Sequence, residues 1–264
     1  MDFLERFFSR TNRQALHRFQ CNICGRSCSA PLSRLTREEP TCRCGSTVRL
    51  RALIHVLSLE LFGETIALPD FPHRPDIVGI DMSGANTYAD RLAKKLGYTN
   101  TFLHRGPCLD INNPDVRWND TCDFVISSDV FEHVAPPVSN AFSNTLRILK
   151  PDGVFILTVP YTKSGGTQEH FPDLHAYRVE TRNGRQVLIN ATADGRTQEF
   201  ENLIFHGGEG ETLELRVFSE SGVIEELERA GFSNVRIHLE EYPQFGILWP
   251  QAWSLPISAR RPSV

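Results

Sequence analysis

Four cysteines fall in two close pairs, Cys21-Asn22-Ile23-Cys24-Gly25 and Cys42-Arg43-Cys44-Gly45. Thiolates in paired knuckles can hold Zn2+ tetrahedrally, and a segment this small needs such a staple to fold. The C-x-C spacing of the second pair is tighter than the usual C-x-x-C, and Cys28 is a possible substitute ligand. Unligated thiols are the alternative reading. A disulfide conflicts with a reducing compartment, and a redox C-x-x-C would need a βαβ context absent around these residues. Cys108 and Cys122 stand outside both pairs and read as core or edge thiols.

A second set of reactive types lies further on: Asp129, Glu132 and His133 in one short segment, then His170, His175 and His206. Imidazole titrates near neutral pH and serves as a general base for an O- or N-acceptor. His170 lies in a segment outside the minimal fold, where substrate specificity is expected, and is the preferred base; His133 is the other candidate.

The elements that must position these groups are legible from Asp123 to Tyr161, DFVISSDVFEHVAPPVSNAFSNTLRILKPDGVFILTVPY. Phe124 to Ser128 reads as a buried strand with Ser127, Ser128 and Asp129 at its end. A loop carries Glu132 and His133, an amphipathic helix buries Phe142, Leu146 and Leu149, and a Pro-Asp-Gly turn leads into a strand from Val154 to Val159. Two apolar strands joined by a helix form a βαβ unit, which requires a parallel sheet covered by helices. The loop after such a strand opens at the carboxyl edge, where α/β folds bind ligands.

Upstream, residues 46–61 have helical apolar spacing, with Ser46 as a cap and Gly63 as the stop. Prolines 69, 72 and 75 mark a boundary. Ile77 to Gly84 then reads as strand and tight turn, followed by a helix from about Asn86 to Leu96 that ends at Gly97. Its small-residue turn presents backbone N–H groups to a ligand. Thr99 to His104 is the next strand. Residues 163–177 suit a mobile lid, Asn183-Gly184 and Asp194-Gly195 mark a hairpin or meander, and Ser219 to Arg229 is a helix closed by Gly231. Asn234 to Leu239 and Leu255 to Ala259 are closing strands. Phe3, Leu4, Phe7, Phe8, Leu16 and Phe19 suggest an amphipathic helix in the first twenty residues, packed on the protein itself, on a second subunit of a homodimer or on a membrane surface.

Taken together, the Asp123–Pro160 motifs resemble the second half of class I S-adenosylmethionine (SAM)-dependent methyltransferases. There a D-hydrophobic-hydrophobic-E-H segment precedes an LKPGG turn. With the cysteine pairs, the chain from Cys21 onward resembles bacterial zinc-ribbon-bearing methyltransferases of the broad small-molecule, type 11-like group. The resemblance implies an α/β Rossmann-like sheet with helices on both faces, a four-cysteine zinc ribbon before it and a β-hairpin insertion. The implied divisions are an N-terminal segment (1–20), a ribbon (21–45), a connecting helix and linker (46–75) and the methyltransferase domain (76–264, insertion about 162–212).

The resemblance also implies site residues. Gly79, Asp81, Ser83 and Gly84 stand where the family's glycine-rich turn cradles SAM, although most of the expected glycines are replaced. Asp110 and Ile111 match the turn whose acid accepts from the adenine amino group; an Asx turn is the alternative for Asp110. Ser128 and Asp129 close the cofactor edge, and the Glu132-His133 pair is more structural than catalytic in relatives. A competing register makes Ile77–Gly84 the family's second strand and Asp81 the ribose-binding acid. The implied activity is methylation of a hydroxyl or amine on a small or sugar-like acceptor. The rival reading is a non-catalytic module that recruits a partner through its ribbon. A Rossmann oxidoreductase is disfavoured, since no G-x-G-x-x-G opens the first helix.

Bulk properties fit a soluble globular protein with a sizeable core: 264 residues, 40% hydrophobic and 23% charged. No apolar run approaches the roughly 20 residues that span a bilayer. The acidic, h-region-free start does not resemble a secretory signal, so a cytoplasmic location is expected. Net charge is −4, yet residues 1–51 carry ten Arg and no Lys against four acids. A basic segment could dock on a partner or nucleic acid, but arginines solvating a small module are the preferred reading, and no nucleic-acid partner is expected.

Overall fold

A computed structural model describes residues 16–206, 212–250 and 253–263. The expected amphipathic helix falls largely outside them. Its last residues instead form a strand, β1 (Leu16–Gln20), paired antiparallel with β2 (Ser27–Pro31) around the first cysteine pair. The two cysteine knuckles need left-handed turns, and Gly25 (φ 77°) and Gly45 (φ 86°) supply them, each closing a turn onto the carbonyl of Cys21 or Cys42.

Helix α1 (Val48–Phe62) follows. Its cap is Thr47, whose Oγ1 accepts from the Leu50 N–H, rather than Ser46, and Gly63 ends it in the left-handed region as expected. Strand β3 (Arg74–Met82), α2 (Asn86–Leu92) and β4 (Leu96–Thr101) come next. Helix α2 is shorter than its apolar spacing implies, and Gly97 lies inside β4. A Cβ on Gly97 would stand 2.6 Å from the Pro75 carbonyl oxygen, so this glycine permits close strand approach. With β4 ending at Thr101, His104 lies in the loop beyond.

β5 (Cys122–Ser128), α3 (Ser139–Ile148) and β6 (Leu149–Thr158) form the expected βαβ unit. The Pro-Asp-Gly segment does not precede β6 but interrupts it. Asp152 adopts φ 63°, and the register with β5 jumps between Cys122↔Leu149 and Phe124↔Val154.

The insertion contributes β7 (Tyr161–Thr162), β8 (Gln168–Glu169), β9 (Ala176–Arg182), β10 (Arg185–Ala191), β11 (Thr197–Phe200), β12 (Phe205–His206), β13 (Thr212–Leu213) and β14 (Arg216–Ser219). β9, β10 and β11 form the expected meander; Asn183 and Gly184 both take positive φ, as a two-residue hairpin loop requires. α4 (Glu220–Ala230), β15 (Ser233–Ile237) and β16 (Ile257–Arg260) complete the chain.

The main sheet has the order β15-β16-β6-β5-β3-β4, with β16 antiparallel to both neighbours and the other five strands running in one direction. β3 lies between β4 and β5, at the switch of strand order, so the first-strand register holds and the second-strand alternative does not. Alternation builds two cores. Val125, Phe155 and Leu157 pack with Phe142, Val223 and Leu227 on the α3/α4 face; Phe124, Ile126, Val154 and Ile156 pack with Leu53, Leu57, Tyr88 and Leu92 on the α1/α2 face. Cys21 and Ile23 belong to this second core. The cysteine segment is thus welded to the sheet's covering layer.

Candidate functional site

The carboxyl ends of β3, β4 and β5 open into a cleft of about 1330 Å³, walled on one side by the insertion. Ser83, Gly84, Asp110, Ile111, Ser128, Asp129 and His133 all line it. Gly79, Asp81 and His170 are not among its lining residues. Gly79 sits mid-strand, where an added Cβ would stand 2.2 Å from the Phe124 ring; it serves packing within the sheet.

Asp81 is fully buried beneath the turn. Its Oδ2 accepts from the Tyr88 hydroxyl at 2.6 Å and the Tyr98 hydroxyl at 3.0 Å, and burial pushes its carboxyl up to about 7. The turn above is held tightly. Ser83 adopts φ 59°, a conformation favouring glycine, and Asn100 bonds both the N–H and the carbonyl of Gly84 at 2.8 Å. A Cβ on Gly84 would meet Asp81 Oδ2 at 2.2 Å.

Asp110 makes the Asx turn weighed as its alternative role, accepting from the Asn112 N–H at 2.9 Å, while still facing the cleft. Leu109, Ile111, Phe102 and Leu103 form an apolar patch beside it.

Asp129, in the left-handed region at φ 54°, is gripped by arginines from the segment before the sheet. Arg37 forms a bidentate pair with it at 2.6 and 3.0 Å, and Arg49 Nε lies 3.2 Å away. Burial pushes the Asp129 carboxyl up, but Arg37 and then Arg49 outweigh it and hold it below the usual range. Arg49 also bonds Ser128 Oγ, and Arg37, Glu38 and Arg49 all line the cleft. Arg51 is fully buried, bonding Thr41, Ser46 and the Gly246 carbonyl. These three arginines do not solvate a surface module: Arg37 and Arg49 tie it to the sheet edge, and Arg51 joins it to the Gly246 turn. Their role escaped the sequence reading, because nothing in local spacing pairs Arg37 with an acid 92 positions away.

The insertion wall carries His206, which lines the cleft. Its Nε2 lies 2.8 Å from Glu214 Oε2, and the other oxygen of Glu214 lies 2.8 Å from His170 Nε2. His133 donates from Nδ1 to the Leu213 carbonyl at 2.9 Å, and its ring stands 5.0 Å from that of His206. Burial lowers the His133 pKa.

Away from the cleft, the Sγ atoms of Cys21, Cys24, Cys42 and Cys44 lie within 4.8 Å of one another, with Cys21–Cys44 at 3.7 Å and Cys24–Cys42 at 3.6 Å. Four sulfurs about 2.3 Å from one tetrahedral ion stand roughly 3.8 Å apart, and disulfide sulfurs about 2.05 Å, so the spacing fits a metal centre.

A mostly parallel sheet with this switch point and a large cleft at its carboxyl edge are the architecture expected of a class I methyltransferase. In agreement, residues 65–237 match a family model described as a methyltransferase domain, and the chain belongs to the class I SAM-dependent methyltransferases. No curated protein sequence matches the chain. Similar solved structures include a 1,6-didemethyltoxoflavin-N1-methyltransferase from Burkholderia thailandensis (14% identity, 81% of this chain and 78% of that chain, TM-score 0.44). A sugar N-methyltransferase from Streptoalloteichus sp ATCC 53650 aligns with 14% identity over 81% of this chain and 87% of that chain, at TM-score 0.46. Among the described residues, no helix is long and apolar enough to cross a membrane.

Proposed function

We propose that the chain transfers the methyl group of SAM to a hydroxyl or amine of a small or sugar-like acceptor. The observation that carries this reading is that one cleft is lined by two chemically distinct sets of residues. Ser83, Gly84, Asp110 and Ile111 offer polar edges and an apolar patch suited to a nucleoside, while His133 from the turn after β5 and His206 and Tyr177 from the insertion line the same cleft. SAM supplies an electrophilic methyl on a sulfonium, and displacement is in line, so positioning and water exclusion are the protein's main tasks.

In this reading Asp110 orients the adenine and Ile111 packs on its ring. The insertion wall presents the acceptor, and its proton departs toward the histidines there. His206 and His133 reach the cleft; His170 acts behind them through Glu214. The Cys21, Cys24, Cys42 and Cys44 thiolates hold a structural Zn2+ that fixes the segment carrying Arg37 and Arg49.

Calorimetric titration with SAM and S-adenosylhomocysteine tests the reading. Binding at one site per chain, weakened in Asp110→Ala, is expected. No detectable binding of either would overturn it in favour of a recruitment module.

A further inference from the structure

Glu132 is fully buried beneath the insertion, and neither of its carboxylate oxygens has a hydrogen-bond partner among the described residues. A carboxylate withdrawn from water with no donor is an unfavourable arrangement that folds avoid unless something occupies it. One oxygen of Glu132 and one ring nitrogen from each of His133 and His206 lie within 4.8 Å of one another.

Both imidazoles are oriented from behind. His133 gives its Nδ1 proton to the Leu213 carbonyl, which leaves Nε2 as a lone pair, 3.7 Å from Glu132 Oε1. With the Nε2 proton of His206 held by Glu214, its Nδ1 carries a lone pair. Glu214 is itself fixed by His170 on its other oxygen. A carboxylate or carbonyl behind each ligating histidine is the arrangement that sets tautomer and direction at metal centres.

We propose that Glu132, His133 and His206 bind a divalent first-row transition-metal ion, separate from the cysteine site. Two imidazoles and one carboxylate suit Zn2+, Co2+ or Mn2+, and three protein ligands leave positions open. Donor atoms on one such ion stand about 3–4 Å apart, a gap that a small shift of the unpartnered Glu132 carboxylate and of the His206–Glu214 pair together would close. Since His133 and His206 line the cleft, the open positions face it. An oxygen or nitrogen of the acceptor would complete the coordination there, the bound ion then taking over from the free imidazoles in promoting loss of its proton; that role rests on the methyl-transfer reading, whereas ion binding itself does not.

The test is titration of the full-length, zinc-loaded chain with Co2+, followed by its visible d–d absorption. One saturating equivalent is expected, at least tenfold weaker in His206→Ala and in Glu132→Gln and unchanged in His175→Ala. Cobalt that displaced zinc from the thiolates would add a sulfur-to-metal charge-transfer band. Circular dichroism of each variant reports folding, and His206→Ala, at a half-exposed position, provides the readout should Glu132→Gln fail to fold. No saturable binding, or equal affinity in folded His206→Ala, overturns the proposal. Wild type that binds SAM but no Co2+ defeats this site alone; wild type that binds Co2+ but no SAM defeats the methyl-transfer reading alone.

Discussion

Arg37 reaches across 92 positions of sequence to clasp Asp129 with both guanidinium nitrogens, at 2.6 and 3.0 Å, over the edge of the parallel sheet. Removing one partner of a desolvated ion pair leaves the other without compensation. Arg49 remains beside Asp129, so Arg37→Ala should cost less than a fully orphaned charge, about 2 kcal/mol. Chemical denaturation of Arg37→Ala, Asp129→Ala and the double variant would show strong non-additivity; additive losses would contradict the pairing.

Asp81 gives the fold an unusual pH dependence. Its carboxyl is raised from 3.8 to about 7 in the folded chain, so between those values the folded state holds a proton that the unfolded state has released. Its contribution to stability is therefore full below pH ~4 and declines by about 1.4 kcal/mol per unit as pH rises to ~7, then levels. Asp81→Asn, which keeps an acceptor for Tyr88 and Tyr98, should flatten the denaturation midpoint across that window. An unchanged slope would dismiss Asp81 as its source.

Two glycines separate packing from binding. Gly79→Ala drives a methyl into the Phe124 ring and should lower stability by roughly 1–3 kcal/mol while SAM affinity in the folded fraction is kept. Gly84→Ala pushes on Asp81 beneath the turn and should weaken SAM binding tenfold or more. Paired calorimetry and thermal melts distinguish the two outcomes; equal SAM affinities would count against the turn as a cofactor cradle.

Removal of the zinc proposed at the cysteine cluster should not be a local event. Cys21 and Ile23 share a buried cluster with Leu53, Tyr88 and Phe124, so loss of the ion loosens a layer of the main core. A strong chelator, or Cys42→Ser, is expected to lower the melting temperature of the whole chain by several degrees in a single transition. A separate low-temperature transition, with the main one unmoved, would indicate an independent module.

The sheet was legible where chemistry and periodicity agree. Val125 and Phe155 alternate with Phe124 and Ile156, and the Asn183-Gly184 loop announces its hairpin by residue type alone. Element ends were less so. Leu96 continues the apolar spacing of α2, yet it opens β4, because its burial is satisfied equally well by the sheet. Long-range pairings were illegible. His170 and His206 are equivalent by type, and which one faces the cleft depends on how β12 and β14 bring Glu214 between them. The inward arginines were hidden for the same reason.

Because Arg37, Glu38 and Arg49 line the cleft, the residues that match the methyltransferase family, 65–237, do not by themselves enclose the proposed site. The homologous unit is smaller than the working unit. A chain trimmed to the family's boundaries would lose one wall of its reaction vessel and leave Asp129 facing water without its arginines. The lining of the proposed site therefore includes side chains that sequence comparison with the family leaves out.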